Sequence, residues 1–277
     1  MTLGDTLAQL QRNGLERLDA QMLLLMAAQR GPHDRAWLMA HEEEPLSAET
    51  ATVLSDLAQR RLMGEPMAYL RGEQEFFGLT LQVDSRVLVP RADTETLVHW
   101  ALEVAGRSAG TRSLLDLGTG SGAIALALKS ARPSWSVTAT DASEPALEVA
   151  RANAQRLGLA VAFHAGHWLA AVPGQRFDVI VSNPPYIAAE DQHLAALTHE
   201  PATALASGSD GLDDIRTLVA TAPKALRPGG WLLLEHGYNQ ASAVRSLLQN
   251  AGFEQIDSRT DLAGIERCSG GIWPLQR

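Results

Sequence analysis

After Gly110 the chain alternates short apolar runs with amphipathic segments, and this alternation restricts the possible folds more than any other feature. The runs 113–117, 136–141, 161–165, 177–182, 231–235 and 253–257 are short, aliphatic and bounded by polar or glycine-rich breaks, as buried strands are. A further strand is expected near 268–273. The intervening segments 123–130, 144–157, 213–226 and 240–250 carry helical spacing. Strands joined through crossover helices pair in parallel, so the expected fold class is α/β with a mostly parallel, doubly wound sheet of seven strands. Leu226-Arg227-Pro228-Gly229-Gly230 reads as a helix stop and a tight turn before the fifth strand.

Upstream the signals are helical. Leu18, Met22, Leu25 and Met26 recur at helical spacing, as do Leu54, Leu57, Ala58 and Leu62, with Gly14, Gly31-Pro32 and Pro45 as punctuation. Ser47 precedes one of these segments in the position of an N-cap. Residues 1–73 are therefore expected to form a small helical bundle. The period then changes: Phe76–Leu81 and Arg86–Val89 flank Asp84-Ser85 and predict a β-hairpin linking the bundle, over 74–90, to a second domain spanning 91–277. Asp93 or Thr94 is placed to cap the first helix of that domain.

Composition narrows the partners. A formal net charge of −9 argues against a broad basic surface for tracking phosphates, so no stable nucleic-acid complex is expected. No run approaches the roughly 18 apolar residues of a membrane helix, and the N-terminus lacks the pattern of a secretory signal. One cysteine, Cys268, excludes an internal disulfide and a multi-cysteine metal site. A cytoplasmic protein, monomeric and without a metal, fits these features.

Two motifs carry chemistry. In Leu114-Leu115-Asp116-Leu117-Gly118-Thr119-Gly120-Ser121-Gly122, a glycine loop joins the first strand of the sheet to its helix, where backbone can pass close to a ligand and helix N–H groups point at it. Asp141 ends the next strand, 19 residues after Gly122, where a carboxylate can accept the hydroxyls of a ribose. An adenosine-containing cofactor follows, but the loop does not say which. Gly118, Gly120 and Ala123 also satisfy the relaxed dinucleotide fingerprint of a nicotinamide-dependent dehydrogenase. None of the histidines sits in a recognisable acid–base arrangement, and His164 and His167 read as loop or core residues.

The second motif, Asn183-Pro184-Pro185-Tyr186, begins at the carboxyl end of strand 177–182, the edge at which open α/β sheets bind ligands. Successive prolines stiffen the turn and remove two backbone donors. Asn183 adds a side-chain acceptor and Tyr186 a flat face. Rigid acceptors beside an aromatic plane suit a planar –NH2 group, with the Asn183 side-chain oxygen and the Pro184 carbonyl taking its two N–H bonds. Such binding orients a nitrogen whose lone pair is otherwise delocalised and favours its attack on a methyl group. The sulfonium of S-adenosylmethionine makes a metal unnecessary. An amide and an exocyclic base nitrogen are served equally by this turn.

The glycine loop, its distance to Asn183-Pro184-Pro185-Tyr186 and the helical N-terminal segment together resemble the PrmC (HemK) methyltransferases, over essentially the whole chain. Arg71-Gly72, the segment Val89-Pro90-Arg91-Ala92-Asp93-Thr94-Glu95, Glu200-Pro201 and Asp210-Gly211-Leu212 extend the resemblance, although the family often has proline where Ala92 stands. The resemblance implies a Rossmann-like class I methyltransferase domain and transfer of a methyl group from S-adenosylmethionine, leaving S-adenosylhomocysteine. The acceptor it implies is the glutamine of the Gly-Gly-Gln motif in bacterial peptide-chain release factors. It implies that Gly118, Thr119, Gly120, Ser121, Gly122, Asp141, Trp168 and Asn183 contact the methyl donor. Asn183, Pro184, Pro185 and Tyr186 would then hold the glutamine, with Asn183 and Tyr186 catalytic, and the helical N-terminal domain would recognise the protein substrate. The alternatives are a glutamine of a ribosomal protein, which the same catalytic turn would serve, and an adenine or cytosine amino group in nucleic acid, which the acidic balance disfavours. A non-catalytic binding module with a degenerate cofactor domain is a further alternative, opposed by the intact loop and turn.

Overall fold

The computed structural model describes residues 1–106 and 110–275. The chain divides into two compact units, Met1–Gly72 and Glu73–Arg277. The first consists of five helices, α1 (Leu3–Arg12), α2 (Arg17–Ala27), α3 (Arg35–Ala40), α4 (Ala48–Leu62) and α5 (Met67–Arg71). Their core gathers Leu3, Leu10, Leu23, Leu24, Leu38, Leu54 and Leu57. Ser47 caps α4 by accepting the Thr50 N–H. The buried face of α2 is rotated from the expected one: Ala20, Leu23, Leu24 and Leu25 are buried and Leu18 is exposed.

The second unit opens with a two-stranded antiparallel hairpin, β1 (Glu73–Phe76) and β2 (Leu79–Gln82). It turns at Phe77-Gly78 rather than at Asp84-Ser85, and 86–89 is not a strand. Both turn residues have positive φ, 52° and 74°, the geometry that matches the twist of a two-residue hairpin. Phenylalanine rarely takes that conformation. It is held here because the Glu95 carboxylate accepts the Phe77 N–H and the Glu75 carboxylate accepts the Gly78 N–H. Asp84 instead closes a separate turn by accepting the Arg86 N–H on its side chain. A 3-10 turn (Ala92–Thr94) leads into α6 (Glu95–Gly106).

The remaining elements are β3 (Ser113–Leu117), α7 (Ala123–Ala131), β4 (Ser136–Asp141), α8 (Glu144–Leu157), β5 (Ala162–Ala165), β6 (Phe177–Ser182), α9 (Asp213–Thr221), β7 (Leu226–Glu235), α10 (Ala241–Asn250), β8 (Glu254–Thr260) and β9 (Glu266–Ile272). They form a seven-stranded sheet of order β5-β4-β3-β6-β7-β9-β8, parallel except where β9 runs antiparallel to both neighbours. Consecutive strand residues enter opposite cores. Leu114, Val179, Val181 and Leu233 pack with α6 and α7, while Leu115, Ile180, Leu232 and Leu234 pack with α9 and α10. Burial on both faces explains why these strands read as continuous apolar runs.

Two boundaries differ from expectation. Helix α9 ends at Thr221 in a 3-10 turn containing Pro223, whose ring removes the N–H needed to continue. Arg227–Gly230 is not a turn before the strand but an irregularity within β7, since Phe177 pairs with Leu226 and Val179 already pairs with Trp231. Among the described residues no helix is long and apolar enough to cross a membrane, and no group of three or more His, Cys, Asp or Glu side chains could hold a metal ion. Cys268 is buried in β9, which pushes its thiol well above the ordinary range and leaves it unsuited to nucleophilic work. Ile180 is fully buried at the centre of the sheet, so Ile180→Ala should lower the unfolding free energy by about 2–5 kcal/mol. Urea denaturation monitored by circular dichroism checks this, and a loss below about 1 kcal/mol would contradict the central packing.

Candidate active site

The carboxyl ends of β3, β4 and β6 lie side by side, because Leu117 is opposite Thr140 on one flank and Ser182 on the other. The residues that follow surround a cleft of about 500 Å3 lined by Gly118, Gly120, Asp141, Trp168, Asn183 and Pro185, among others. That volume suits a single small-molecule ligand.

The glycine loop is shaped by its neighbours in the sheet. The N–H groups of Gly118 and Thr119 both donate to the Thr140 carbonyl, each at 2.9 Å. Gly118 has φ of 73°, and a Cβ there would lie 3.1 Å from the Trp168 ring. Glycine relieves the backbone strain that a side chain would meet in this bend, and it leaves the indole room to approach closely. Thr119 and Ser121 are buried and do not line the cleft. The Thr119 hydroxyl donates to Asp116 Oδ2 at 2.6 Å, and the same oxygen accepts the Ala125 N–H at 3.2 Å. Asp116 Oδ1 has no partner among the described residues. Burial, with the negative charge of Asp141 adding to it, pushes the Asp116 carboxyl up to about 7.

Asp141 faces the cleft with both oxygens already oriented. Oδ2 accepts the Gly120 N–H and Oδ1 the Ser143 N–H, each at 2.9 Å. A carboxylate has about four lone-pair sites, so each oxygen can accept again from a ligand hydroxyl. Trp168 forms another wall. Its φ of 48° is a conformation bulky residues avoid, and its indole N–H reaches Asp214 Oδ1 at 3.3 Å. Asp214 in turn accepts from the Ser207 hydroxyl at 2.7 Å. His167, a loop residue as expected, lines the cleft edge-on to Trp168.

The Asn183 Nδ2 donates to Thr94 Oγ1 at 3.2 Å, which leaves the amide oxygen as the group available to the cleft. The Pro184 carbonyl accepts no hydrogen bond from the described residues. Pro184 and Tyr186 do not line the cleft itself. Tyr186 is largely buried against the α9–α10 core, and its hydroxyl lies 3.5 Å from Glu235 Oε1. Burial and the Glu235 charge push its phenol above the ordinary range. Its carbonyl accepts from Gln240 Nε2 at 3.0 Å, and Gly211 packs so closely that a Cβ there would collide with that carbonyl. Burial also pushes the Glu235 carboxyl up to about 7.

Several residues at the site were not expected from sequence. Arg91, without an assigned role, donates to the buried Glu200, whose other oxygen accepts the Val89 N–H at 3.0 Å. Pro201, Thr203 and Asp214 line the cleft. Their only sequence signal was proximity to Glu200-Pro201 and Asp210-Gly211-Leu212.

Residues 94–256 match the methyltransferase small domain family, and residues 3–72 match the PrmC N-terminal domain. A release factor glutamine methyltransferase of Bordetella pertussis is 51% identical over 262 residues, covering 93% of this chain and 95% of that protein. Its namesake in Pseudomonas aeruginosa is 49% identical, covering 96% of each chain. Among solved structures, a methyltransferase of Pyrococcus furiosus superposes with a TM-score of 0.55 at 20% identity, over 80% of this chain and all of that one, a likeness of fold. Sequence likeness over nearly the whole length and in both halves places the chain in one family: it belongs to the PrmC (HemK) release factor glutamine methyltransferases.

Proposed function

We propose that the protein methylates the side-chain amide nitrogen of the glutamine in the Gly-Gly-Gln motif of bacterial peptide-chain release factors, with S-adenosylmethionine as donor. The observation that carries this reading is the Asn183 amide, whose –NH2 is engaged by Thr94 so that its oxygen serves the cleft. An acceptor there, with the unengaged Pro184 carbonyl beside it, matches the two N–H bonds of a substrate amide. Holding both orients the nitrogen and favours loss of amide planarity.

The residues around the cleft fit the methyl donor. Asp141 keeps lone pairs for two hydroxyls of a ribose, and the Trp168 ring offers a flat wall beside the backbone of Gly118. Asp116, with one oxygen unpartnered, adds acceptor capacity under the loop. Gly118, Gly120, Asp141, Trp168 and Asn183 would contact the donor, while Thr119, Ser121 and Gly122 hold the loop that presents them. When bound, S-adenosylmethionine supplies an electrophilic methyl group on a positively charged sulfur. Pro185 and Tyr186 keep the acceptors rigid, Tyr186 through its burial and its carbonyl bond to Gln240. The helical unit is assigned to recognition of the release factor, because contacts remote from the reacting glutamine must supply affinity for a macromolecular substrate.

Purified enzyme should incorporate labelled methyl groups into release factor and none when the Gly-Gly-Gln glutamine is changed. Incorporation into a ribosomal protein or nucleic acid instead would overturn the substrate assignment. Asn183→Ala should reduce kcat by about 100- to 1,000-fold, the scale on which a preorganised polar contact to a reacting group acts. Calorimetry should show donor affinity within about tenfold of wild type, the worth of one neutral hydrogen bond. Asp141→Ala should show the opposite split, raising the donor Kd about 10- to 150-fold through lost charge-assisted bonds. A donor Kd unchanged in that variant would remove Asp141 from the site.

A further inference from the structure

Resting on that functional reading, we propose that Asn153 and Gln240 are positioning residues, Asn153 for the glycine loop that would hold the methyl donor and Gln240 for the Asn-Pro-Pro-Tyr turn that would hold the acceptor amide. Neither side chain lines the cleft. Both residues are buried, Asn153 completely. A buried primary amide must satisfy two N–H bonds and an oxygen, so where its partners are backbone groups it joins separate stretches of chain.

Asn153 lies on α8 one turn after Ala150, whose methyl group would meet any Cβ added at Gly122. The Asn153 Nδ2 donates to the Ser121 and Gln82 carbonyls, each at 3.0 Å, and its Oδ1 accepts the Gln82 N–H at 2.7 Å. Ser121 stands between Gly120, whose N–H orients Asp141, and Gly122, whose N–H closes the loop on the Thr119 carbonyl. Gln82 ends β2, and the chain beyond it reaches the cleft at Arg86, Val87 and Leu88. One side chain therefore fixes the glycine loop relative to that wall.

Gln240, the residue before α10, repeats the arrangement at the other motif. Its Nε2 donates to the Tyr186 carbonyl at 3.0 Å and to the Asp210 carbonyl at 3.3 Å, and its Oε1 accepts the Gly237 N–H at 2.8 Å. Gly211 keeps this contact close, since a Cβ there would collide with both the Tyr186 carbonyl and the Gln240 –NH2. The turn is thereby held at both ends, by β6 before Asn183 and by Gln240 at Tyr186, with two prolines of fixed φ between. Backbone N–H groups only donate and carbonyls only accept, so neither amide can flip without setting its oxygen against two carbonyls. Each half of the site is placed by one amide, and the two amides have no partner in common.

The test sets Asn153→Ala against Gln240→Met in the full chain, with calorimetry for S-adenosylmethionine and methyl transfer to purified release factor. Asn153→Ala should raise the donor Kd about tenfold or more, as when the binding-competent loop falls to about a tenth of the population. Its kcat at saturating donor should stay within about threefold of wild type, since the acceptor turn is untouched. Gln240→Met should show the reverse, a kcat about 10- to 100-fold lower through a misplaced reacting pair and a donor Kd within about threefold of wild type. Asn153→Asp and Gln240→Glu keep the shape and the accepting oxygen but cannot serve both carbonyls. They should show the same splits, and they take the place of a truncated variant that does not fold. Lowered urea midpoints with wild-type Kd and kcat, or the same loss in both variants, would reduce the amides to supports of stability and overturn the proposal. A wild type inactive on release factor would instead overturn the substrate assignment, and the Gln240 half with it, while the donor Kd of Asn153→Ala still decides the other half.

Discussion

The register of β3 against β4 and β6 is the constraint on which the rest of the site depends. With Leu117 opposite both Thr140 and Ser182, three parallel strands reach one level, and the residue after each, Gly118, Asp141 (the last of β4) and Asn183, lies on one edge. A one-residue slip would also invert the faces of Leu114 and Leu115, which enter separate cores. The register is pinned again at its end, where the Ser182 hydroxyl donates to the Leu117 carbonyl at 2.7 Å and the Thr140 carbonyl takes two N–H groups of the glycine loop. Packing energy stored across the whole sheet thereby fixes the placement of a few polar atoms at its rim.

That rim is also where the domain tolerates unsatisfied polarity. The buried side-chain atoms without partners among the described residues are Asp116 Oδ1, Thr140 Oγ1 and Glu235 Oε2, on β3, β4 and β7 towards their carboxyl ends. Each such atom costs about 1–3 kcal/mol. Their clustering on one edge of one sheet, together with the positive φ of Trp168, is the pattern of a site whose polar groups are arranged for a ligand rather than for stability. Asp116 and Glu235 are both raised towards neutrality by burial, yet they serve different surroundings. Asp116 bonds the glycine loop that would cradle the donor, and Glu235 bonds the turn that would hold the acceptor amide.

The glycine loop, Asp141 and the Asn-Pro-Pro-Tyr turn were legible in the sequence because each is a local pattern attached to the end of a strand. Strand and helix positions were legible for the same reason, since burial on both faces leaves long apolar runs. The hairpin turn was not, because Phe77 adopts a glycine-like conformation held by Glu95, 18 residues away. The supports of the site escaped for a related reason. Thr94 meets Asn183 across 89 residues and Arg91 meets Glu200 across 109. Nothing in either neighbourhood marks such residues as partners; only the closed sheet brings them together. The turn itself read equally well for an amide or a base, and whole-chain likeness, not local geometry, separated those substrates.

The Arg91–Glu200 pair shows how the irregular walls of the cleft are tied to this rigid edge. Glu200 is buried, while Arg91 remains 43% exposed at its side chain. With its cation this exposed, the attraction within the pair adds little stability by itself. A buried carboxylate deprived of partners, however, carries its full desolvation cost, so Glu200 is stable in place only while Arg91 and the Val89 N–H both reach it. Those partners belong to the segment whose Arg86, Val87 and Leu88 line the cleft, and Glu200 precedes Pro201 and Thr203 on the facing wall. The charge thus acts as a clasp between two stretches that have no sheet register of their own. It lets loops, which a macromolecular substrate can approach, keep a fixed spacing beside the three strand ends.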